Sequence, residues 1–323
     1  MDASTSQVID MAQEWFIKNA RRGTAVINAL DERNVDPVHA RSTGIGYAPN
    51  TWTGLTEHLR SNGISDQALL AAGVAKQRRD GQGLIDHFRD RIMFPLVDGA
   101  NVVGWSGRAI DNNNPAKYLN SPNTPTFDKS EAIFGLTALC SHTSGIVITE
   151  GPWDGLPITS ATASTWVGVA ACGTAFTQAH AQLIADTHLP VVVWMDPDAA
   201  GQTAAEHIHY TLASVGIQNV GCVRSRQDPS DTIRSMPEHH VAPYLQDGTP
   251  LAQVIVSQHL SQIESDDPAH RVRVARGLAP LVQSVPRDQQ GQLLAQIIHG
   301  TGLLPETVIK AVASPRLSDQ PRG

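Results

Sequence analysis

Apolar runs alternate with helix-like segments through the middle of the chain. The predicted strands cover 145–150, 165–170, 190–195 and 219–224, and the predicted helices lie near 154–162, 177–187 and 200–215. Apolar runs that do not alternate with polar positions are typical of strands buried on both faces. This strand–helix order therefore predicts a parallel sheet with right-handed crossovers.

The flanking segments follow other patterns. Residues 6–20 carry one apolar face, which includes Trp15 and Phe16 and predicts an amphipathic helix with both rings in the core. Segments 53–61 and 66–74 indicate short helices, the second closed by Gly73. From 91 to 135, short apolar runs between Gly, Asn and Pro clusters predict strands and loops. After Pro243 the pattern is helical to Ala313.

These patterns predict an α/β protein with three parts and a tail. A mixed α+β N-terminal subdomain spans 1–135, a parallel-sheet α/β domain spans 136–242, and a small helical C-terminal region spans 243–313. The tail at 314–323 is polar and contains two prolines, so we expect it to be disordered.

Carboxylates directly follow two of the apolar strands. Glu150 and Asp154 come after the run at 146–148, and Asp196 and Asp198 come after the run at 191–195. Ligands of open α/β sheets bind at such strand ends, and crowded carboxylates repel one another unless a cation is present. Mg²⁺ is the natural candidate because it prefers a few carboxylates together with phosphate oxygens. Structural alternatives are a carboxylate near a helix N-terminus for Glu150 and a helix N-cap for Asp198.

A third acidic cluster, Asp228-Pro229-Ser230-Asp231, follows the last predicted strand. It is a further candidate for metal binding. The same four residues are also ordinary turn chemistry, which leaves a surface turn open as the alternative.

The motifs together resemble a known family. Glu150-Gly151-x-x-Asp154 followed by Asp196-x-Asp198-x-x-Gly201 is similar to the Toprim signature of bacterial primases, topoisomerases and some nucleases. Upstream elements narrow the choice, because in this order they resemble the RNA-polymerase core of DnaG-type primases: Gly44-Ile45-Gly46-Tyr47-Ala48-Pro49, Arg89-Asp90-Arg91-Ile92-Met93-Phe94-Pro95, Gly104-Trp105-Ser106-Gly107-Arg108, Lys117-Tyr118-Leu119-Asn120-Ser121-Pro122 and Phe127-Asp128-Lys129.

The resemblance implies a Toprim domain over 136–242 and assigns roles to the acidic residues. Glu150, Asp196 and Asp198 would be catalytic, with Glu150 either a general base or a metal ligand. The implied cofactor is Mg²⁺ or Mn²⁺, and two-metal nucleotidyl transfer needs ions roughly 3.5–4 Å apart. The implied metal ligands are Glu150, Asp154, Asp196, Asp198, Asp228 and Asp231.

The resemblance also implies a nucleic-acid and nucleotide surface, because guanidinium groups bind phosphates with paired donors. Its residues would be Arg89, Arg91, Arg108, Lys117, Asn120 and Lys129. Pro197 and Ser230 depart from the family pattern, in which residue 197 is commonly Gly and residue 230 can be acidic.

Other family modules are not recognisable in this sequence. It has no Cys-x2-Cys or Cys-x2-His pair and no phosphate-binding Gly-x4-Gly-Lys motif, so we expect no zinc site and no fused helicase motor. The expected partners are single-stranded DNA and ribonucleoside triphosphates, with a replicative helicase or a separate zinc-ribbon protein as further candidates. The reduced form suggests a phage or mobile-element origin.

The composition limits how the chain can bind nucleic acid and where in the cell we expect it. The net charge of -7 does not favour nucleic-acid binding by the whole surface, so any phosphate-binding surface must be a local patch. Three widely spaced cysteines argue against a disulfide framework. Without an apolar leader or a membrane-length run, we expect a cytoplasmic protein that contacts no membrane.

The sequence therefore predicts a DnaG-like primase core that synthesises short RNA primers on single-stranded DNA. A Toprim-family nuclease is a second interpretation, although a nuclease has no need of the Arg89–Pro95 and Lys117–Pro122 elements. A non-catalytic replication adaptor that retains the fold is a third, which Pro197 and Ser230 favour. A topoisomerase would need a catalytic tyrosine domain and a longer chain.

Overall fold

The computed structural model describes residues 4–111, 113–124, 127–173, 175–263 and 267–313. The tail at 314–323, predicted to be disordered, lies outside these residues. The strands are β1 (Gly46–Ala48), β2 (Ala75–Gln77), β3 (Leu84–Asp86), β4 (Arg91–Asp98), β5 (Asn101–Ala109), β6 (Tyr118–Asn120), β7 (Ile133–Phe134), β8 (Gly145–Thr149), β9 (Trp166–Ala170), β10 (Val191–Val193), β11 (Val220–Cys222) and β12 (Thr249–Pro250).

Helices surround these strands in both halves of the chain. They are α1 (Thr5–Ala20), α2 (Thr24–Asp31), α3 (Pro37–Ser42), α4 (Gly54–Ser61), α5 (Asp66–Ala71), α6 (Pro152–Ala161), α7 (Gln178–Ala185), α8 (Ala199–Ser214), α9 (Pro229–Arg234), α10 (Glu238–Gln246), α11 (Leu251–Ser261), α12 (Pro268–Gly277), α13 (Ala279–Ser284), α14 (Arg287–Thr301) and α15 (Pro305–Ala313). A short 3-10 helix covers Leu136–Ala138.

In the described part of the chain, one mixed sheet of ten strands joins the N-terminal and middle segments. Its order is β12-β11-β10-β8-β9-β7-β4-β5-β6, with β1 paired to β4. The β8–β9, β8–β10 and β10–β11 pairs are parallel, which confirms the parallel arrangement predicted for the middle of the chain. The sequence did not reveal that β7 pairs antiparallel with β9 and so connects the N-terminal strands to this parallel sheet.

The parallel strands are covered on both faces. Ile146 and Ile148 of β8 face a core formed with α7, α8 and the C-terminal helices. Val147, between them, faces the opposite core formed with α6, α9 and α10. Because successive side chains of a strand point to opposite faces, a strand that is apolar throughout needs two such layers.

The N-terminal strands are also packed on two sides. Met93 of β4 lies in a core with α1, α4 and α5, whereas Ile92 and Phe94 lie in a core with α2 and α3. Phe16 of α1 is fully buried, as predicted. Trp15 is only partly buried, and its ring packs edge-on against Phe16 at a centroid distance of 5.5 Å.

Two features of the fold bear on the site. α6 lies directly on β9, where a Cβ on Gly168 would collide with the backbone of Gly155, so position 168 requires glycine. The C-terminal region is not entirely helical, since Thr249 and Pro250 form an antiparallel edge pair with β11. No helix among the described residues is both long and apolar enough to cross a membrane.

Candidate active site

Neighbouring strands deliver the first two acidic motifs to one edge of the sheet. β8 and β10 pair in parallel with Ile148 opposite Val193, and Glu150 and Asp196 follow these residues by two and three positions. The carboxyl ends of parallel strands meet at the same edge, so the two carboxylates enter a common volume. Glu150 and Asp198 are exposed there, whereas Asp196 is partly buried.

Asp154 reaches the same volume from the first turn of α6, which begins at Pro152. Burial, followed by the charges of Asp196, Asp228 and Glu150, raises the pKa of Asp154 to about 7. The Asp154 carboxyl therefore loses its proton near neutral pH, unlike an ordinary aspartate.

Asp196 and Glu150 show the same repulsion. Burial, then the charges of Asp228 and Asp198, raises the pKa of Asp196. Burial, then the charges of Asp196 and Asp198, raises the pKa of Glu150. The Oδ1 atom of Asp196 is buried and accepts no hydrogen bond from any described residue, which leaves this acceptor available to a ligand.

Asp198 begins α8, as the capping alternative predicted. Its Oδ1 accepts a hydrogen bond from the Gly201 backbone N–H at 2.7 Å. Capping uses one carboxylate oxygen and leaves the charge facing Glu150 and Asp196. Gly201 is required because a Cβ there would collide with the carbonyl oxygen of Asp196. Residue 197 is not among the described non-glycine residues with positive φ, so its backbone does not require the glycine that is common there in the family.

The two aspartates of the third acidic cluster have different interactions. Asp228 caps α9 by accepting a hydrogen bond from the Asp231 N–H at 2.7 Å, and its charge contributes to the raised pKa values of Asp154 and Asp196. Asp231 instead forms an ion pair with Arg234 at 2.9 Å. Glu150, Asp154, Asp196, Asp198 and Asp228 therefore form one group, which we call the acidic centre.

The acidic centre has the right chemistry for a hard divalent cation. Its donors are carboxylate oxygens, one of them buried without a partner, and their mutual repulsion would be relieved by positive charge. Among the described residues, however, no three His, Cys, Asp or Glu side chains already lie close enough together to hold a metal ion. The carboxylates would have to close around an ion as it binds.

One of the predicted basic residues, Arg108, lies beside the acidic centre through its contact with Tyr118. The Arg108 guanidinium carbon is 5.3 Å from the centroid of the Tyr118 ring, and Arg108 donates a hydrogen bond to the Tyr118 hydroxyl at 3.4 Å. That hydroxyl approaches Gly151, and Asp154 contributes to the raised pKa of Tyr118, after burial. Lys117 precedes Tyr118 and is exposed.

Arg91 and Asn120 are bound to the backbone. Arg91 is 5 % exposed, and its Nη1 donates to the carbonyl oxygens of Gly107 at 3.0 Å and Lys117 at 3.4 Å. Asn120 donates from Nδ2 to the Cys172 carbonyl oxygen at 3.2 Å, while its Oδ1 is buried without a partner. These contacts hold the segment that carries Lys117 and Tyr118 against neighbouring strands and loops.

Arg89 and Lys129 lie in separate places. The Arg89 guanidinium carbon is 3.5 Å from the centroid of the Trp52 ring. Lys129 is partly exposed in the turn before β7, where the Ser130 carbonyl oxygen accepts a hydrogen bond from the Thr177 hydroxyl at 2.6 Å. No described contact joins these two residues to the acidic centre.

Sequence reasoning missed Tyr118 and Trp52. Tyr118 stands inside the Lys117–Pro122 element, and an aromatic residue between Lys117 and Asn120 was an available signal. Trp52 had no comparable signal, because its exposure of 61 % and its stack with Arg89 arise from residues far apart in the chain.

The chain matches two family profiles in succession. Residues 15–139 match the N-terminal domain of the DNA primase catalytic core, and residues 147–233 match a Toprim-like family. Similar curated proteins include the DNA primase of Streptomyces coelicolor, 29% identical over 94% of this chain and 49% of that protein. The DNA primase of Listeria monocytogenes is 32% identical over 72% of this chain and 39% of that protein. The chain thus spans about half the length, or less, of these relatives.

Solved structures resemble more than nine-tenths of the chain. A DNA primase domain from Pseudomonas aeruginosa has a TM-score of 0.76 and 25% identity, over 96% of this chain and 100% of that one. A DnaG primase catalytic domain bound to single-stranded DNA has a TM-score of 0.77 and 25% identity, over 93% of this chain and 96% of that one. The suggested phage or mobile-element origin stays a prediction, because these likenesses do not test it.

Proposed function

The chain belongs to the family of DnaG-type DNA primase catalytic cores, and we propose that it is a template-directed RNA polymerase that makes short RNA primers on single-stranded DNA. The observation that carries this proposal is the acidic centre at the ends of β8 and β10, with Arg108 and Tyr118 beside it. Nucleotidyl transfer needs negative groups that gather divalent cations and positive groups that hold the phosphates.

Mg²⁺ or Mn²⁺ is the cofactor we propose for the acidic centre. Bound there, it would neutralise phosphate charge and favour an ionised ribose hydroxyl. Asp196, whose Oδ1 is unpartnered, and Asp154, whose carboxyl titrates near neutral pH, would hold it together with Glu150, Asp198 and Asp228. Asp231 is the weakest of the ligand candidates, because its carboxylate is paired with Arg234.

The basic residues have separable roles in this proposal. Arg108 and Lys117 would bind phosphate oxygens of nucleotide or template, Arg108 with its side chain placed against the Tyr118 ring. Arg91 and Asn120 would orient the Lys117–Asn120 segment through their backbone contacts. Lys129 would contact nucleic acid farther from the acidic centre.

The direct test is primer synthesis with the purified chain, single-stranded DNA and labelled ribonucleotides. We expect short RNA products that require Mg²⁺ or Mn²⁺ and are abolished by Asp196→Asn. End-labelled DNA in the same reaction tests the nuclease alternative, which requires cleavage of the strand. The adaptor alternative requires that divalent metal produce neither RNA synthesis nor nucleotide binding.

Metal binding has a separate test that does not depend on turnover. Isothermal titration of the chain with Mn²⁺ should show binding that Asp196→Asn weakens at least about tenfold and Asp231→Asn leaves nearly unchanged. Unchanged Mn²⁺ affinity in Asp196→Asn would exclude Asp196 as a ligand.

A helicase or a zinc-ribbon protein remains the partner we propose for initiation. With a net charge of -7, this chain must hold its template through local basic surfaces, and a tethered partner would raise the local concentration of template. The chain should therefore extend a supplied dinucleotide better than it joins the first two nucleotides, since initiation assembles more components at once. Equal efficiency in the two assays would remove the reason to invoke a partner.

A further inference from the structure

A segment of the N-terminal half contacts two helices that carry members of the acidic centre. Residues 32–36, which connect α2 to α3 and which we call the brace, touch both α6 and α9. α6 carries Asp154 in its first turn, and Asp228 is the N-cap of α9. The two helices also pack against each other. Contacts that fix both helices therefore also fix the backbone from which these two carboxylates project.

The first contact of the brace joins Arg33 to Trp153, the residue before Asp154. The Arg33 guanidinium carbon lies 4.6 Å from the centroid of the Trp153 ring. Trp153 is 5 % exposed, and its ring meets Phe94 of β4 edge-on at a centroid distance of 5.2 Å. The indole thus contacts a cation and a buried aromatic ring, both from the N-terminal half of the chain.

The surroundings of Arg33 leave the ring as its described partner. The Arg33 side chain is partly buried, and its Nε is buried without donating a hydrogen bond to any described residue. No ion pair among the described residues includes Arg33. Burying part of a cation is costly unless an attractive contact compensates, and the face of an indole supplies such a contact.

Two hydrogen bonds attach the rest of the brace to the same helices. The Asp36 N–H donates to the Ser160 hydroxyl oxygen at 2.9 Å, near the end of α6. Arg234 of α9 donates from Nη1 to the Glu32 carbonyl oxygen at 3.4 Å. The brace therefore contacts α6 near its start and near its end, and it contacts α9 as well.

We propose that Arg33 is a positioning residue, whose contact with Trp153 holds the start of α6 so that Asp154 is presented to the divalent cation of the acidic centre. The inference rests on the proposed function, which assigns Mg²⁺ or Mn²⁺ to that centre. A ligand whose backbone is fixed in advance loses less entropy when the ion binds. Rotation of the side chains still allows the carboxylates to close around the ion.

Isothermal titration with Mn²⁺ measures this role without turnover. Arg33→Ala should weaken Mn²⁺ binding about two- to thirtyfold, the equivalent of about 0.5–2 kcal/mol for one cation–π contact. Arg33→Met keeps the length of the side chain without its charge and should weaken binding as much. Arg33→Lys keeps a cation and should fall between wild type and Arg33→Met. Arg22→Ala is the matched control, because it removes an exposed cation from the same half of the chain and should leave the affinity unchanged.

A double-mutant cycle tests whether Arg33 acts through Trp153. Trp153→Leu removes the aromatic face and keeps an apolar side chain. In that background Arg33→Ala should weaken Mn²⁺ binding no further, because the contact is already lost. Ribonucleotide incorporation gives a second measurement. Saturating Mn²⁺ should restore incorporation by Arg33→Ala to near the wild-type rate, because Arg33 contributes to metal affinity and does not touch the reacting groups.

Wild-type Mn²⁺ affinity in Arg33→Ala would overturn the proposal, and equal affinities for Arg33→Lys and Arg33→Met would show that the cation has no role. If Arg33→Ala does not fold, Arg33→Met keeps most of the packed side chain and replaces it in each comparison. Mn²⁺ affinity that depends on Arg33 in a chain that makes no primers would contradict the proposed function and leave the positioning role standing. Primer synthesis together with wild-type affinity in Arg33→Ala would do the reverse.

Discussion

The acidic centre differs in charge and environment from a second region, which we call the Trp52 surface. The Trp52 surface consists of Trp52, Arg89 and the exposed cations Lys76, Arg78 and Arg79 of the β2–β3 hairpin. At the acidic centre five carboxylates face a common volume, burial and mutual repulsion raise the pKa values of three of them, and one buried oxygen has no hydrogen-bond partner among the described residues. At the Trp52 surface the hairpin cations are exposed, and a further cation, Arg89, lies on an aromatic ring. Like charges repel one another in the first region, whereas in the second the Arg89 guanidinium lies on the Trp52 ring, although its buried Nη1 donates no hydrogen bond to any described residue.

The difference indicates what each region is built to bind. Strained carboxylates gain most from a small ion of high charge density, which removes their repulsion. Exposed cations beside an indole gain from a flexible polyanion with aromatic bases, and that binding is weak and sensitive to salt. Local basic contacts of this kind are what the proposed function requires of a chain whose overall charge is acidic.

The largest expected effect is at the acidic centre. Asp196→Asn should lower nucleotide incorporation by at least about two orders of magnitude and leave the melting temperature unchanged or raised, because it removes a repelling charge. Asp198→Asn should do the same, since asparagine also caps helices well. Asp231→Asn, the matched control, should lower incorporation by less than about tenfold. Near wild-type incorporation by Asp196→Asn would show that the acidic centre is not catalytic.

Substitution of Asp86, a buried carboxylate that accepts several hydrogen bonds, should have the opposite effect on stability. Asp86→Asn should destabilise the fold by about 1–3 kcal/mol, because the amide nitrogen would face backbone N–H groups that now donate to the carboxylate. Urea denaturation of this variant beside Asp196→Asn makes the comparison. Equal stabilities for the two variants would show that hydrogen-bond partners do not separate structural from functional carboxylates here.

Arg91 and Lys117, which the sequence predicts to bind nucleotide or template, should also differ in whether they affect stability or DNA binding. Arg91→Ala should destabilise the fold by about 1–3 kcal/mol, because its buried guanidinium donates to two backbone carbonyls. Lys117→Ala should leave stability within about 0.5 kcal/mol of wild type and make the salt dependence of DNA binding shallower. Thermal melts and anisotropy titrations measure both. A wild-type melting temperature for Arg91→Ala would contradict a structural role for Arg91 and favour a role in ligand binding.

A different kind of effect is a change in the pH dependence of stability, which is confined to conditions without divalent metal. Asp154 has a pKa of about 7 in the folded chain against an ordinary aspartate pKa of 3.8, so the folded state binds its proton more tightly. This contribution to stability is complete below about pH 4 and is lost as the pH rises to about 7. Without divalent metal, Asp154→Asn should therefore flatten the fall of the melting temperature from about pH 4 to about pH 7. Parallel curves for the two proteins would contradict the raised pKa.

Much of the parallel sheet was predictable because its pattern is local. The apolar runs at 146–148 and 191–195 and the carboxylates after them identified β8, β10 and most of the acidic centre. The pairing of Asp231 with Arg234 was not predictable, because Asp-Pro-Ser-Asp is compatible with either a metal site or a helix start. The short strands β7 and β12 also escaped, since two-residue strands exist only through their partners.

The sequence by itself determined the family, the order of strands and helices in the parallel sheet, and which carboxylates follow which strands, because each of these is encoded in consecutive residues. Only the tertiary structure decided which charged groups lie together and which are neutralised. Arg89 and Arg91 are two residues apart, yet one stacks on the exposed Trp52 and the other is buried against backbone carbonyls. The physical reason is that segments distant in the chain bury a charged side chain and supply its hydrogen-bond partners. This environment decides whether the charge can bind a ligand or instead stabilises the fold.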